Sequence, residues 1–405
     1  MLRRDLLKMG SAAAIGMLAP GLAHAADPAG DKTPGTLAWD RSLVLIELGG
    51  GNDGLNTVVP YADPEYYKLR KRIGVPEADV FKLDKGLGLN GTMKALEASW
   101  KEGDLSVFLG LGYPNLNRSH FRGIDIWNGA SKHDEMPPDG WLARILDGAN
   151  GGAPSDLLAH SITLGGNGAY GGGGALYGHQ LNRLTMERPE DFVRRAKRIP
   201  KPGDKIPNPA MSHIMHIQGD INRTADRLEE AYRKAPKLPD FPRTGLGEHL
   251  QIAAKLITAG VTCPVYKTGI YGFDHHSNEN AAHPGMVGEL ANALAAFRLA
   301  LKSVPGAWER TTVMTYSEFG RRAVENDSGG TDHGTAAPHL VMGGQVTGGF
   351  YGKQPSLTQL DNGDLVYTTD FRSMYATIAQ QFWGYKKSFL SDKGIQAIPK
   401  VFKTV

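Results

Sequence analysis

Four short clusters along this 405-residue chain carry side chains that do chemistry on anions and metal ions. Asn52 and Asp53 stand in GGGNDGLN, and Arg118, Ser119, His120 and Arg122 in NRSHFRG. Asp274, His275 and His276 stand in FDHHSN; Glu318 stands in YSEFGRR, with Asp332 and His333 in TDHG a loop later. Carboxylates and imidazoles that converge hold hard or borderline divalent cations such as Zn, Mn, Mg or Ca. Such an ion polarises a phosphoryl or sulfuryl oxygen and stabilises the negative charge of an attacking hydroxyl. A serine at a helix N-terminus gains further from the local positive dipole, which favours its alkoxide and an anionic ester. Each cluster also has a plainer reading. Asp53 can close a turn with Gly54, Ser119 can cap the helix through Ile126, and Glu318 can pair with the arginines that follow it.

Placement separates the two readings, because the clusters fall after predicted strands or at a turn before a helix. Leu43 to Gly49 is a dense apolar run that breaks into three glycines and Asn-Asp-Gly. Leu105–Leu111, Ser161–Leu164, Val261–Phe273, Thr311–Tyr316 and Pro338–Gly344 are the further strand candidates. Between them the spacing predicts helices over Tyr61–Ile73, Leu89–Trp100, Gly140–Ala149, Leu246–Ala259, Pro284–Lys302 and Phe371–Trp383. Strand, helix and strand in alternation is the pattern of a parallel sheet, whose carboxyl edge is where open α/β folds place their sites. The stretch from about 188 to 242 is rich in Lys, Arg and Pro, with a helix near Met211–Lys234, and reads as a helical insertion in one domain spanning 37–405. The glycine-rich loop after Leu164 lacks the G-x-x-x-x-G-K-[ST] pattern of a phosphate cradle.

The bulk composition suits a large globular core, with 41% hydrophobic and 21% charged residues. A net charge of +3 without charged blocks gives no support for nucleic-acid binding. Residues 1–25 carry Arg3-Arg4, a short Ala/Gly/Leu/Met stretch and Ala23-His24-Ala25, the pattern of a twin-arginine export signal. The expected partner is then the twin-arginine translocase, and the expected location the periplasm or the exterior. Residues 26–36 read as a linker. No stretch is long and apolar enough for a stable membrane span, which needs ~20 residues. Cys263 is the single cysteine, so no internal disulfide forms, and it reads as a small buried apolar residue.

Taken in order, GGGNDGLNTVVPY, NRSHF, FDHHSNE, SEFGRR and TDHG resemble the DUF1501 family of exported bacterial proteins, over essentially the whole mature chain. That family is grouped with the alkaline phosphatase and sulfatase superfamily. The resemblance implies an α/β fold, a mostly parallel sheet sandwiched by helices, with a metal-assisted ester-cleaving site at its carboxyl edge. It implies one or two divalent ions on Asp53 and Asn52, Glu318, Asp274, His276 and His333. It implies Ser119 as nucleophile, with Gly129 ten places on as in sulfatases, and Arg118 and Arg122 as the groups that neutralise the ester. The chain departs from the superfamily pattern at Glu318 and Phe319, where Asp and His are expected, and at Asn278, where His276 becomes the substitute ligand. Two functions follow: an exported metal-dependent hydrolase of phosphate or sulfate esters, acting on a small anionic ester or a polysaccharide, or a non-catalytic binding or assembly protein on the same fold.

Overall fold

The computed structural model describes residues 35–149, 151–165, 174–178, 181–199 and 209–403, without the side chains of 209–214 and 216. The expected export signal and most of the expected linker and the glycine loop lie outside the described residues. The core is a nine-stranded sheet. In chain order its strands are β1 (Ser42–Gly49), β2 (Leu105–Gly112), β3 (Ser161–Leu164), β4 (Arg183–Met186), β5 (Val265–Tyr271), β6 (Thr311–Tyr316), β7 (Ala337–Gly343), β8 (Gly349–Gly352) and β9 (Thr369–Asp370). They lie side by side as β8-β2-β7-β6-β1-β5-β3-β4, with β9 paired to β2. β1 is central, parallel to β5 on one side and β6 on the other. Only β7 runs against its neighbours, β2 and β6.

Ten α-helices accompany the sheet among the described residues: α1 (Gly54–Thr57), α2 (Pro64–Leu69), α3 (Glu97–Glu102), α4 (His120–Gly129), α5 (Trp141–Asp147), α6 (Pro189–Ala196), α7 (Pro209–Lys234), α8 (Gly245–Thr258), α9 (Glu279–Lys302) and α10 (Phe371–Thr377). Every residue of β1 is buried, as in a sheet covered on both faces. Its side chains alternate between two cores. Val44, Ile46 and Leu48 join the layer containing α7, α8 and α9, and Leu43 and Leu45 join the layer containing α4, α5 and α10. No described helix is long and apolar enough to cross a membrane.

Local chemistry shortened several predicted elements. The predicted helix from Leu89 opens as a strand, Gly88–Asn90, and turns through a 3-10 segment before α3. Asn90 causes the break, since its side chain accepts from the Thr92 amide and pulls the backbone out of α-helical geometry. The helix predicted over 61–73 is only α2, opened by the Asp63 cap and Pro64. The last helix passes into a π-turn over Ile378–Phe382. One feature of the core is absent from any apolar pattern: Glu47 of β1 and Lys267 of β5 form a buried ion pair at 3.1 Å, with the Tyr316 hydroxyl donating to Glu47 at 2.9 Å.

Candidate metal centre

The sheet's parallel order brings the segments that follow β1, β2, β5 and β6 to one edge. The reversed strand does the rest. Because β7 runs antiparallel, the loop from Ser317 to Ala336 leaves that edge and returns to it, so Asp332 and His333 join Glu318 there. The loop after β1 needs its glycines. Gly50 and Gly51 have φ of +116° and +71°, and a Cβ would stand 2.6 Å from the Asp274 amide nitrogen at the first and 2.4 Å from the Phe319 ring at the second. The chain passes through a space that no side chain can share.

At this edge one ligand atom each from His120, Asp274 and His333 lies within 4.8 Å of the others. Asp274 Oδ1 is 3.1 Å from His333 Nε2 and 3.1 Å from His276 Nε2, and its Oδ2 is 3.4 Å from His120 Nε2. The two Nε2 atoms of His276 and His333 face one another at 3.0 Å. All three imidazoles are held by their outer nitrogen. His120 Nδ1 lies 2.8 Å from Glu318 Oε1, His276 Nδ1 3.1 Å from Asp332 Oδ1, and His333 Nδ1 2.9 Å from the Arg118 carbonyl oxygen. A carboxylate or carbonyl can only accept. With a cation bound at Nε2, the proton of each neutral ring would sit on Nδ1, toward its outer acceptor. Three imidazole Nε2 atoms that converge on a carboxylate suit a cation, and a mixed imidazole and carboxylate set suits Zn or Mn better than Mg or Ca.

Burial raises the Asp274 pKa, but the hydrogen bond and charge of Arg321, then His333 and His120, outweigh it and hold it at about 2. Burial lowers the pKa of His333, and the Arg118 carbonyl and Asp274 restore only part of that, so the ring is neutral near pH 7. Arg321 is buried and binds the loops after β1, β5 and β6. It donates from Nε to the Gly51 carbonyl at 2.6 Å, from Nη1 to the Thr331 carbonyl at 2.9 Å, and from Nη2 to the Gly50 carbonyl and to Asp274 at 2.7 Å. Phe319, where the sequence resemblance leads one to expect histidine, packs its ring against His120 and His333 at 4.9 and 4.7 Å.

The predicted site residues fall into three groups. Asp274, His276 and His333 form the cluster, and Glu318 supports it from outside: its Oε1 also accepts from the Gly50 amide and its Oε2 from Ser317. Ser119 is exposed at the N-terminus of α4, and its hydroxyl makes no capping bond. Arg118 beside it pairs with the buried Asp364, while Arg122 donates to the carbonyls of His133 and Glu135. Asn52 and Asp53 sit in a separate buried network. Asp53 Oδ1 accepts from the Leu55 amide at 3.0 Å and Oδ2 pairs with Arg70, while Asn52 Oδ1 faces Thr57 and His283. Sequence inspection passed over His120 as a ligand. It stood next to the serine that carried the nucleophile assignment, and only the helix start, which turns residue 120 toward Glu318, distinguishes the two.

A family described as a protein of unknown function, DUF1501, matches residues 112–384. The chain belongs to the DUF1501 family. The matched span contains His120, Asp274, His276, Glu318 and His333, whereas Asn52 and Asp53 precede it. No curated protein matches this DUF1501 chain. Similar solved structures include Ps i-CgsB in complex with a neocarrahexaose, at 10% identity and TM-score 0.42, covering 89% of this chain and 75% of that one. A protein in the alkaline phosphatase superfamily from Vibrio parahaemolyticus is similar at 10% identity and TM-score 0.37, covering 84% and 66%. So is the lipoteichoic acid synthase LtaP from Listeria monocytogenes, at 10% identity and TM-score 0.37, covering 89% and 74%.

Proposed function

We propose that this chain is a metal-dependent hydrolase of phosphate or sulfate esters in which Ser119 is the nucleophile. The observation that carries this is the set of three histidines whose outer nitrogens are held by Glu318, Asp332 and the Arg118 carbonyl, so that each Nε2 faces Asp274. His120, Asp274 and His333 would hold the ion, with His276 beside them. A bound cation would supply Lewis-acid polarisation of the ester and stabilise an alkoxide. Ser119 is the exposed N-cap residue of α4, directly before His120 in the chain. The backbone amides of that helix's first turn and the half-exposed Arg118 favour an anionic group at the same place. Ser119 Oγ would bond to phosphorus or sulfur as the alcohol leaves, and water would then release phosphate or sulfate. Export by the twin-arginine route is part of the proposal and rests on residues 1–25 of the sequence.

Metal analysis of the purified protein, followed by assay on aryl phosphates, phosphodiesters and aryl sulfates, tests it. The expected result is bound Zn or Mn and turnover that Ser119→Ala abolishes. A protein that binds neither ion and is inert on all substrates would sink the proposal. The alternative, a binding protein on the same fold, is favoured by the Arg70 contact that occupies Asp53; it predicts an ion-loaded protein for which wild type and Ser119→Ala are equally inert.

A further inference from the structure

Resting on the metal-centre reading above, we infer that the chain holds one cation, and that the guanidinium of Arg70 takes the place of a second ion on Asp53. Both oxygens of Asp53 are committed, Oδ1 to the Leu55 amide and Oδ2 to Arg70. Arg70 cannot swing away. It is buried, and its remaining nitrogens donate to the Ala323 and Arg322 carbonyls at 3.0 and 2.9 Å, so withdrawal would strand two carbonyls as well as a carboxylate. The other donors around Asp53 are committed too. Asn52 Oδ1 faces Thr57 and His283, and Glu279 accepts from Asn56 and from Thr331. The guanidinium of Arg70 already supplies the positive charge that faces Asp53.

The cluster at Asp274 differs on each count. Its side chain is 38% exposed against 2% for Asp53, and its Oδ2 stands 3.4 Å from His120 Nε2. The guanidinium of Arg321 binds only Oδ1 and spends its other donors on backbone. A long buried side chain that is always charged does at Asp53 what an ion would otherwise do, and it is never lost to a chelator.

Calorimetric titration of chelator-treated protein with Zn and with Mn, paired with metal analysis of the loaded protein, reads the stoichiometry directly. One ion per chain is expected. Asp53→Asn should keep that ion with affinity within about threefold of wild type, while His333→Ala should weaken it by tenfold or more. Should Asp53→Asn fail to fold with Arg70 left unpaired, the double variant Asp53→Asn/Arg70→Met removes both charges and carries the same expectation. Two ions per wild-type chain, or a tenfold loss in either Asp53 variant, would overturn the inference alone. No ion at all would overturn the metal centre together with it.

Discussion

At the scale of single residues, the site depends on groups that touch the histidines from outside. Glu318 is the clearest. Its carboxylate holds His120 by Nδ1 and so fixes which nitrogen faces Asp274. Glu318→Gln is expected to lower metal affinity by roughly 10–100-fold, the usual cost of an outer-shell change, without unfolding the chain. A calorimetric titration checks this, and unchanged affinity would remove Glu318 from the centre. Ser119→Ala is expected to lower kcat by about three orders of magnitude or more while leaving metal binding intact, because the hydroxyl touches no buried partner. Steady-state kinetics on whichever ester proves active separates the two variants: one acts through the ion, the other through the nucleophile.

At the scale of elements, the edge is a set of loops tied by one side chain. Arg321 joins the loops after β1, β5 and β6, and Arg321→Ala would leave Asp274 without its guanidinium partner and four carbonyls without this donor. The expected destabilisation is about 3–5 kcal/mol by chemical denaturation. Gly51→Ala tests the same packing by another route. Its φ of +71° and a Cβ contact of 2.4 Å with the Phe319 ring make the substitution strained and displace a ring that packs on His120 and His333. Loss of about 1–3 kcal/mol together with weakened metal binding is expected, and a neutral outcome on both would show that the loop is not what fixes the histidines. The strands themselves were largely legible in the sequence. Runs such as LVLIELG, LSVFLGL and TTVMTY are buried on both faces and read as continuous apolar segments. The helix ends were less legible, because single caps such as Asn90 and Asp63 override the apolar spacing over a turn or two.

At the scale of the whole molecule, buried ionisable groups couple stability to pH. Burial, then Asp53, raises Glu279 from its ordinary value of 4.5 to about 9. A raised folded-state value means stability that is complete below the unfolded pKa and is lost as pH rises through the folded one. Wild-type stability is therefore expected to decline between about pH 4.5 and 9 with a slope of up to ~1.4 kcal/mol per pH unit, and Glu279→Gln to flatten that decline. His283, lowered by burial to about 4, works in the other direction, and its contribution is lost as pH falls from about 6.5 to 4. Urea midpoints measured across this range decide the matter: equal slopes in wild type and Glu279→Gln would mean that Glu279 ionises freely.

The same scale divides what sequence determined from what tertiary structure decided. The sequence alone determined the alternation of buried strands and helices, the four polar clusters and the family, because apolar periodicity and short motifs are local properties of the chain. It could not separate the two candidate carboxylates. Asp53 and Asp274 both follow a strand of the same sheet, and local sequence offers no way to rank them. The fold ranks them by their neighbours: Arg70, 17 residues further on, closes over Asp53, while the reversed strand β7 returns His333 to Asp274. Long-range contacts of that kind depend on strand order and direction, and these exist only once the sheet is assembled.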